Sequence, residues 1–151
     1  AGHQRLAALT EPFLTLNGCR LDGGPPLLSV IALLKDRVAT LRELADAAVF
    51  FYRRLAPSPA LRAQYYTAQI KPALAALLGR FKATTWNRAA INDAIKGVVA
   101  VHQLKMPKLA MPLRVMVTGE TQTPSIDATL ELIGRDEVIA RMAAQLADFP
   151  D

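Results

Sequence analysis

The sequence predicts an all-α protein built as two small packed helical subdomains of the helical-bundle type, and three observations lead there. Apolar side chains recur at three- and four-residue steps, prolines and small polar residues punctuate the recurrences, and no stretch shows several strict two-residue alternations between turn signals. Hydrophobic residues make up 52% of the 151. That is enough to bury a core in one ordinary domain or two small ones.

The one short strand candidate is Phe13 to Gly18, "FLTLNG". Leu27 to Val38 reads as a helix opened by Pro25 and Pro26, where a missing amide hydrogen costs little. Leu41, Leu44, Ala48, Phe51 and Leu55 share one face of a helix from Thr40 to about Ala56. "APSPA", Ala56 to Ala60, then stops it, because proline removes a donor and disfavours helical geometry in the preceding residue. This run marks a boundary between subdomains of residues 1–58 and 59–151. Ala68 to Lys82 is a further helix with Pro72 at its first turn or at a kink. Thr84 or Thr85 is the expected N-cap of a helix from Trp86 to about Leu104, with Ala90, Ile91, Ala94, Ile95, Val98 and Val101 on one face. Ser125 to Ile133 and Arg135 to Ala147 follow, separated by Gly134 as a helix C-cap, and Val138, Met142 and Leu146 form a four-residue stripe.

Composition removes several function classes. Lysine and arginine number 18 against 13 acids, a formal charge of +5, which favours polyanionic partners without naming one. The single cysteine, Cys19, has no internal disulfide partner, and the N-terminus lacks a signal-peptide pattern, so a reducing, cytoplasmic setting is expected. Gly23 to Leu34 is the longest uncharged run and falls well short of the roughly 20 apolar residues of a membrane helix, so no membrane is expected. His3 and His102 lie far apart, with no ligand spacing around either, so no metal is expected. Cys19 has no evident histidine base. Glu43 with Asp46, and Asp136 with Glu137, read as solvated or helix-terminus charges, leaving no catalytic residue. No phosphate-binding glycine loop occurs. "LKMPK", Leu104 to Lys108, reads as a basic connector.

One stretch resists a bland reading. "MPLRVMVTGETQTPSI", Met111 to Ile126, sets Arg114 in an apolar run. Two readings compete: a snorkelling side chain whose methylenes pack on Met111 and Met116, and an arginine positioned for recognition. The segment "KMPKLAMPLRVMVTGETQTPSIDATLELIGRDEVIARM" resembles the C-terminal end of bacterial-type glutamyl-tRNA synthetases, in the order Pro112-Leu113-Arg114, Thr118-Gly119, Thr123-Pro124 and Ile133-Gly134-Arg135-Asp136. Upstream, Leu33 to Tyr52 is similar to that family's earlier anticodon-domain helix. The resemblance covers Leu27 to Leu146, is most specific over Met111 to Gly134, and is poor over residues 1–26.

The resemblance implies an all-helical anticodon-binding region of two subdomains, with binding as this chain's own activity. A catalytic domain absent here would carry ATP and Mg, and no cofactor falls to this chain. The implied partner is tRNA, the glutamate isoacceptor, contacted through its anticodon loop by a monomer, with no DNA. The anticodon-contacting positions carried over are Arg37, which resembles the reader of the third anticodon base, and Arg114, Thr123, Pro124 and Ile126. Ser125 departs from the small residue the family usually shows. Thr123 and Pro124 are expected to cap a helix facing a phosphate, and Arg53, Arg54, Lys105 and Lys108 are candidate phosphate contacts. Trp86 reads as a packing residue, while Tyr65 and Tyr66 fit packing or base stacking equally. The rival reading is a helical protein-interaction or regulatory module with an incidental basic surface; a DNA-reading helix-turn-helix lacks a suitable recognition helix.

Overall fold

A computed structural model describes residues Gly2 to Phe149, and no β-strand occurs among them. The chain divides into two compact units, Ala1–Leu55 and Ala56–Asp151.

In the first unit, α1 (Gly2–Leu16) packs against both α2 (Leu27–Leu34) and α3 (Leu41–Tyr52). The expected strand at Phe13 to Gly18 is instead the last turn of α1, Phe13 to Leu16, and the turn at Asn17 and Gly18 that follows it. Two residues apart, Phe13 and Thr15 mimic a strand face, but the buried set is Thr10 and Leu14, one helical turn apart. Thr10 satisfies its hydroxyl locally by donating to the Leu6 carbonyl at 2.6 Å. Gly18, at φ +76°, ends the helix, and the Cys19 amide closes back on the Leu14 carbonyl at 3.0 Å.

The Leu27 helix is shorter than expected: it gives way at Lys35 to a single 3₁₀ turn, Lys35–Arg37, and Val38 is extended. Thr40 then caps α3, its hydroxyl accepting the Glu43 amide at 3.1 Å, while the Glu43 carboxylate accepts the Ala39 amide at 3.2 Å. This reciprocal arrangement is a variant of the capping box. Leu44, Ala48 and Phe51 are buried as the periodicity requires. Leu55 falls beyond the helix, because α3 ends at Tyr52 and Arg53 is extended. The Tyr52 hydroxyl donates to the Pro25 carbonyl at 2.9 Å, and a Cβ on Gly24 would stand 2.7 Å from the Tyr52 ring, so only glycine lets the backbone come this close.

The second unit holds α4 (Pro59–Tyr65), α5 (Lys71–Phe81), α6 (Arg88–Val101), α7 (Met106–Thr118), α8 (Ile126–Ile133) and α9 (Arg135–Ala147). α4 had no place in the sequence reading. Its first residue is the proline that was to stop the preceding helix, and Ser58 caps it by accepting the Leu61 amide at 3.2 Å. Pro72 lies in the first turn of α5.

α6 contacts α5, α7 and α8, and α9 packs on the same three helices. The shared core includes Leu74, Leu77, Phe81, Ile91, Ile95, Leu109, Leu113, Leu130, Val138 and Met142, each fully buried. Val101, expected on the apolar face of α6, is 69% exposed at its end. The cap of α6 is Asn87, whose side-chain Oδ1 accepts the Ala90 amide at 2.8 Å, and neither Thr84 nor Thr85 fills that role. Trp86 thus precedes the helix. Its indole N–H donates to the Leu130 carbonyl at 2.9 Å and its ring meets Phe81 edge-on, which makes it the packing residue expected. Gly134, at φ +99°, separates α8 from α9 as expected.

Candidate nucleic-acid interface

The turn between α7 and α8 is held by a chain of polar contacts that begins at Arg114. On α7, Arg114 is half-buried; its Nε donates to Thr123 Oγ1 at 2.7 Å and its Nη1 approaches Met111 Sδ at 3.1 Å. Thr123 in turn donates to the Pro124 carbonyl at 2.9 Å, and Thr129 reaches the same oxygen at 3.3 Å. Thr118 ties the end of α7 to the turn, donating to the Arg114 carbonyl at 2.7 Å and accepting the Glu120 amide at 3.1 Å. Gly119, at φ +73°, lets the chain reverse. Arg114 therefore does more than snorkel: its guanidinium latches one helix to the loop that opens the next.

This geometry corrects the expected cap. Thr123 and Pro124 do not cap α8, because Ser125 is its N-cap and makes no side-chain bond to the helix amides. Thr123 and Pro124 are buried, and Ile126 is only 7% exposed. Exposed Ser125 faces outward, and Arg88 from the first turn of α6 donates to its hydroxyl at 3.3 Å and lies 3.5 Å from the Asp127 carboxylate. Partial burial pushes the Asp127 carboxyl up, but bonds from the Ser125 hydroxyl and the Ala128 amide, together with the Arg88 charge, outweigh it and hold the group below the usual carboxylate range. Arg88 carried no sequence signal, since its partners lie 37 or more residues away.

Behind the latch, Arg141 of α9 is 4% exposed and donates to the Val117 carbonyl at 2.9 Å, one of the orphan acceptors at the end of α7. Its Nε also meets the Glu137 carboxylate at 2.7 Å. Tyr65 and Tyr66, indistinguishable in the sequence, have different surroundings. Tyr66 is buried, stacks on Phe149 and donates to Gln145 at 2.8 Å, whereas Tyr65 is half-buried beside a cleft. Lys105 and Lys108, at the start of α7, are exposed on the rim of the same cleft.

In the first unit, Arg37 is exposed in the 3₁₀ turn. The Leu33 to Tyr52 stretch is thus two helices with an elbow between them, where the resemblance implied one helix. Arg53 donates to the Asn17 carbonyl at 3.1 Å and so clasps the end of α1, while Arg54 is exposed. Burial raises the Cys19 thiol, an effect that the Arg53 charge opposes. Among the described residues, no group of three or more histidine, cysteine, aspartate or glutamate side chains is placed to hold a metal ion, and no helix is long and apolar enough to cross a membrane.

The family model described as "Anticodon binding domain" matches residues 5–146. The chain belongs to the anticodon-binding domain family. The match also takes in most of residues 1–26, which the resemblance had set aside. This anticodon-binding domain is 57% identical over 97% of its length to a glutamate–tRNA ligase of Thiobacillus denitrificans, of which it covers 31%. It is 53% identical over 99% of its length to one of Nitrosospira multiformis, of which it covers 32%. The chain thus spans about a third of the length of the curated relatives it matches. Its fold is that of a segment of a glutamate tRNA ligase from Elizabethkingia meningosepticum, with a TM-score of 0.86 at 19% identity over 99% of this chain and 30% of that one. The all-α expectation agrees with this fold.

Proposed function

We propose that this anticodon-binding domain reads the anticodon loop of the glutamate tRNA isoacceptor for a glutamate–tRNA ligase whose catalytic part activates glutamate with ATP and Mg. The observation that carries the reading is Arg114, an arginine fixed by Thr123 at an interhelical turn in a chain of this family. Loop bases are unstacked and offer their edges to guanidinium groups. An arginine whose side chain is already ordered gives up less conformational entropy when a base arrives.

The roles divide by exposure. Arg37, out in solvent, presents a fork of donors that matches the acceptor edge of cytosine and meets donors on the corresponding edge of guanine. Thr123, Pro124 and Ile126, being buried, act by setting the position of the turn and of Arg114. Arg54, Lys105 and Lys108 contact phosphates; Arg53, engaged with Asn17, adds to the field. The domain acts as a cytoplasmic monomer.

Titration with anticodon stem-loops ending in cytosine or guanine at the third anticodon position tests this. The cytosine loop should bind more tightly, Arg37→Gln should narrow the gap, and Arg114→Ala should weaken both. Equal affinity of the unmodified chain for the two loops would overturn the specificity assignment.

A further inference from the structure

A cleft of about 710 Å³ lies in the second unit, between the α4–α5 loop, the α6–α7 loop and the first half of α7. Its volume falls in the range typical of small-ligand sites. Its rim is cationic: Lys105 and Lys108 line it, and no aspartate or glutamate does, although the chain carries 13 acids. Ile70 and Pro112 supply apolar surface, and Tyr65 presents a half-exposed ring. The side chains of Tyr65, Gln69, Gln103, Lys105 and Lys108 also line this cleft, and they make no hydrogen bond or ion pair among the described residues. Donors, acceptors and charge thus converge on one concavity without being used by the fold.

A second observation concerns the backbone. Gln103 has φ +55°, the only positive value at a non-glycine among the described residues. It follows the end of α6, where the Leu104 amide closes on the Val99 carbonyl at 2.9 Å, a helix termination that favours glycine. Glutamine is strained there, and strain of this kind gathers at functional positions. Finally, Met111 joins the cleft to the latch, since it lines the cleft while its sulfur receives the Arg114 guanidinium.

We propose that this cleft holds an unstacked RNA nucleotide, its base against Tyr65 and the amide of Gln103 and its flanking phosphates on Lys105 and Lys108, next along the strand to the nucleotide touched by Arg114. The proposal rests on the tRNA reading above and adds a nucleotide site to it. Aromatic rings and side-chain amides suit splayed bases, and paired lysines suit the phosphates on either side. A polyanion without bases, such as an acidic peptide, would use the lysines but leave the strained glutamine and the tyrosine unexplained.

The test uses the full 151-residue chain and glutamate anticodon stem-loops in which each unpaired nucleotide in turn is abasic. Tyr65→Ala should weaken the intact loop by roughly 5- to 150-fold, the range of base–aromatic stacking, and cost nothing further at one abasic position. Gln103→Gly should weaken binding while raising the melting temperature, a pairing that a purely structural role does not produce. Lys105→Gln with Lys108→Gln should flatten the salt dependence by about 1.4 in log–log slope, at about 0.7 per phosphate contact. If Tyr65→Ala and Gln103→Gly leave every loop's affinity unchanged while Arg114→Ala still weakens binding, the cleft assignment falls and the anticodon reading stands. If polyglutamate displaces the loop and its hold is as sensitive to Tyr65→Ala, the nucleotide assignment falls. If the unmodified chain binds no loop at low salt, both fall.

Discussion

Arg141 is the side chain whose loss the second unit should feel most. It is nearly inaccessible, satisfies the Val117 carbonyl and pairs with Glu137, so truncation removes a donor that both a buried acceptor and a half-exposed carboxylate use. Arg141→Ala should lower stability by about 1 to 3 kcal/mol, read as a shift of the urea midpoint at constant m-value. Tyr66 gives a prediction in pH. Burial, only partly offset by the Arg62 charge, pushes its hydroxyl from 10.0 up to about 12, so the folded chain keeps a proton that the unfolded chain has lost. The stability it contributes is complete below pH 10 and is lost as pH rises through about 12. Tyr66→Phe should cost about 1 kcal/mol at neutral pH, through loss of the Gln145 bond, and should make the decline across the alkaline window shallower in urea titrations. At this scale the sequence was legible only where partners are local. Arg114 divided between snorkelling and recognition because Thr123, nine residues on, lies outside the i+3 and i+4 reach of a helix and is brought in only by the turn.

Helix faces were readable where periodicity ran long, and helix ends were not. The buried stripes of α3, α6 and α9 follow from the spacing of Leu44, Ala48 and Phe51, of Ile91, Ile95 and Val98, and of Val138 and Met142. The cap of α6 did not, because Thr84, Thr85 and Asn87 all have the chemistry to cap and the Trp86 bond to Leu130 decides which backbone turns in. Asn87→Ala should cost about 1 kcal/mol and Thr85→Ala close to nothing, a contrast that thermal melts of the two variants measure. α4 escaped notice because its seven residues bury no side chain of their own and leave no apolar stripe. α1 was misread where a two-residue echo at Phe13 and Thr15 hid the four-residue pair Thr10 and Leu14. The same distinction applies to the site: the arginines could be picked out by type and position, whereas the cleft, assembled from two loops and a helix, could not.

For the molecule as a whole, the proposed reading gives the excess of basic residues a part in how an RNA approaches, and gives the latch and the cleft a part in which nucleotides are held. The single tryptophan adds something practical. Trp86 sits in the second unit with its indole bonded to the backbone of α8, the helix that follows the Arg114–Thr123 turn. Emission excited at the red edge of the absorption band therefore comes from that unit alone, beside the very turn where a loop would dock. Unlabelled protein thus carries a built-in optical reporter, one that would register a shift of α8 during titration and that stays blind to events confined to residues 1–55.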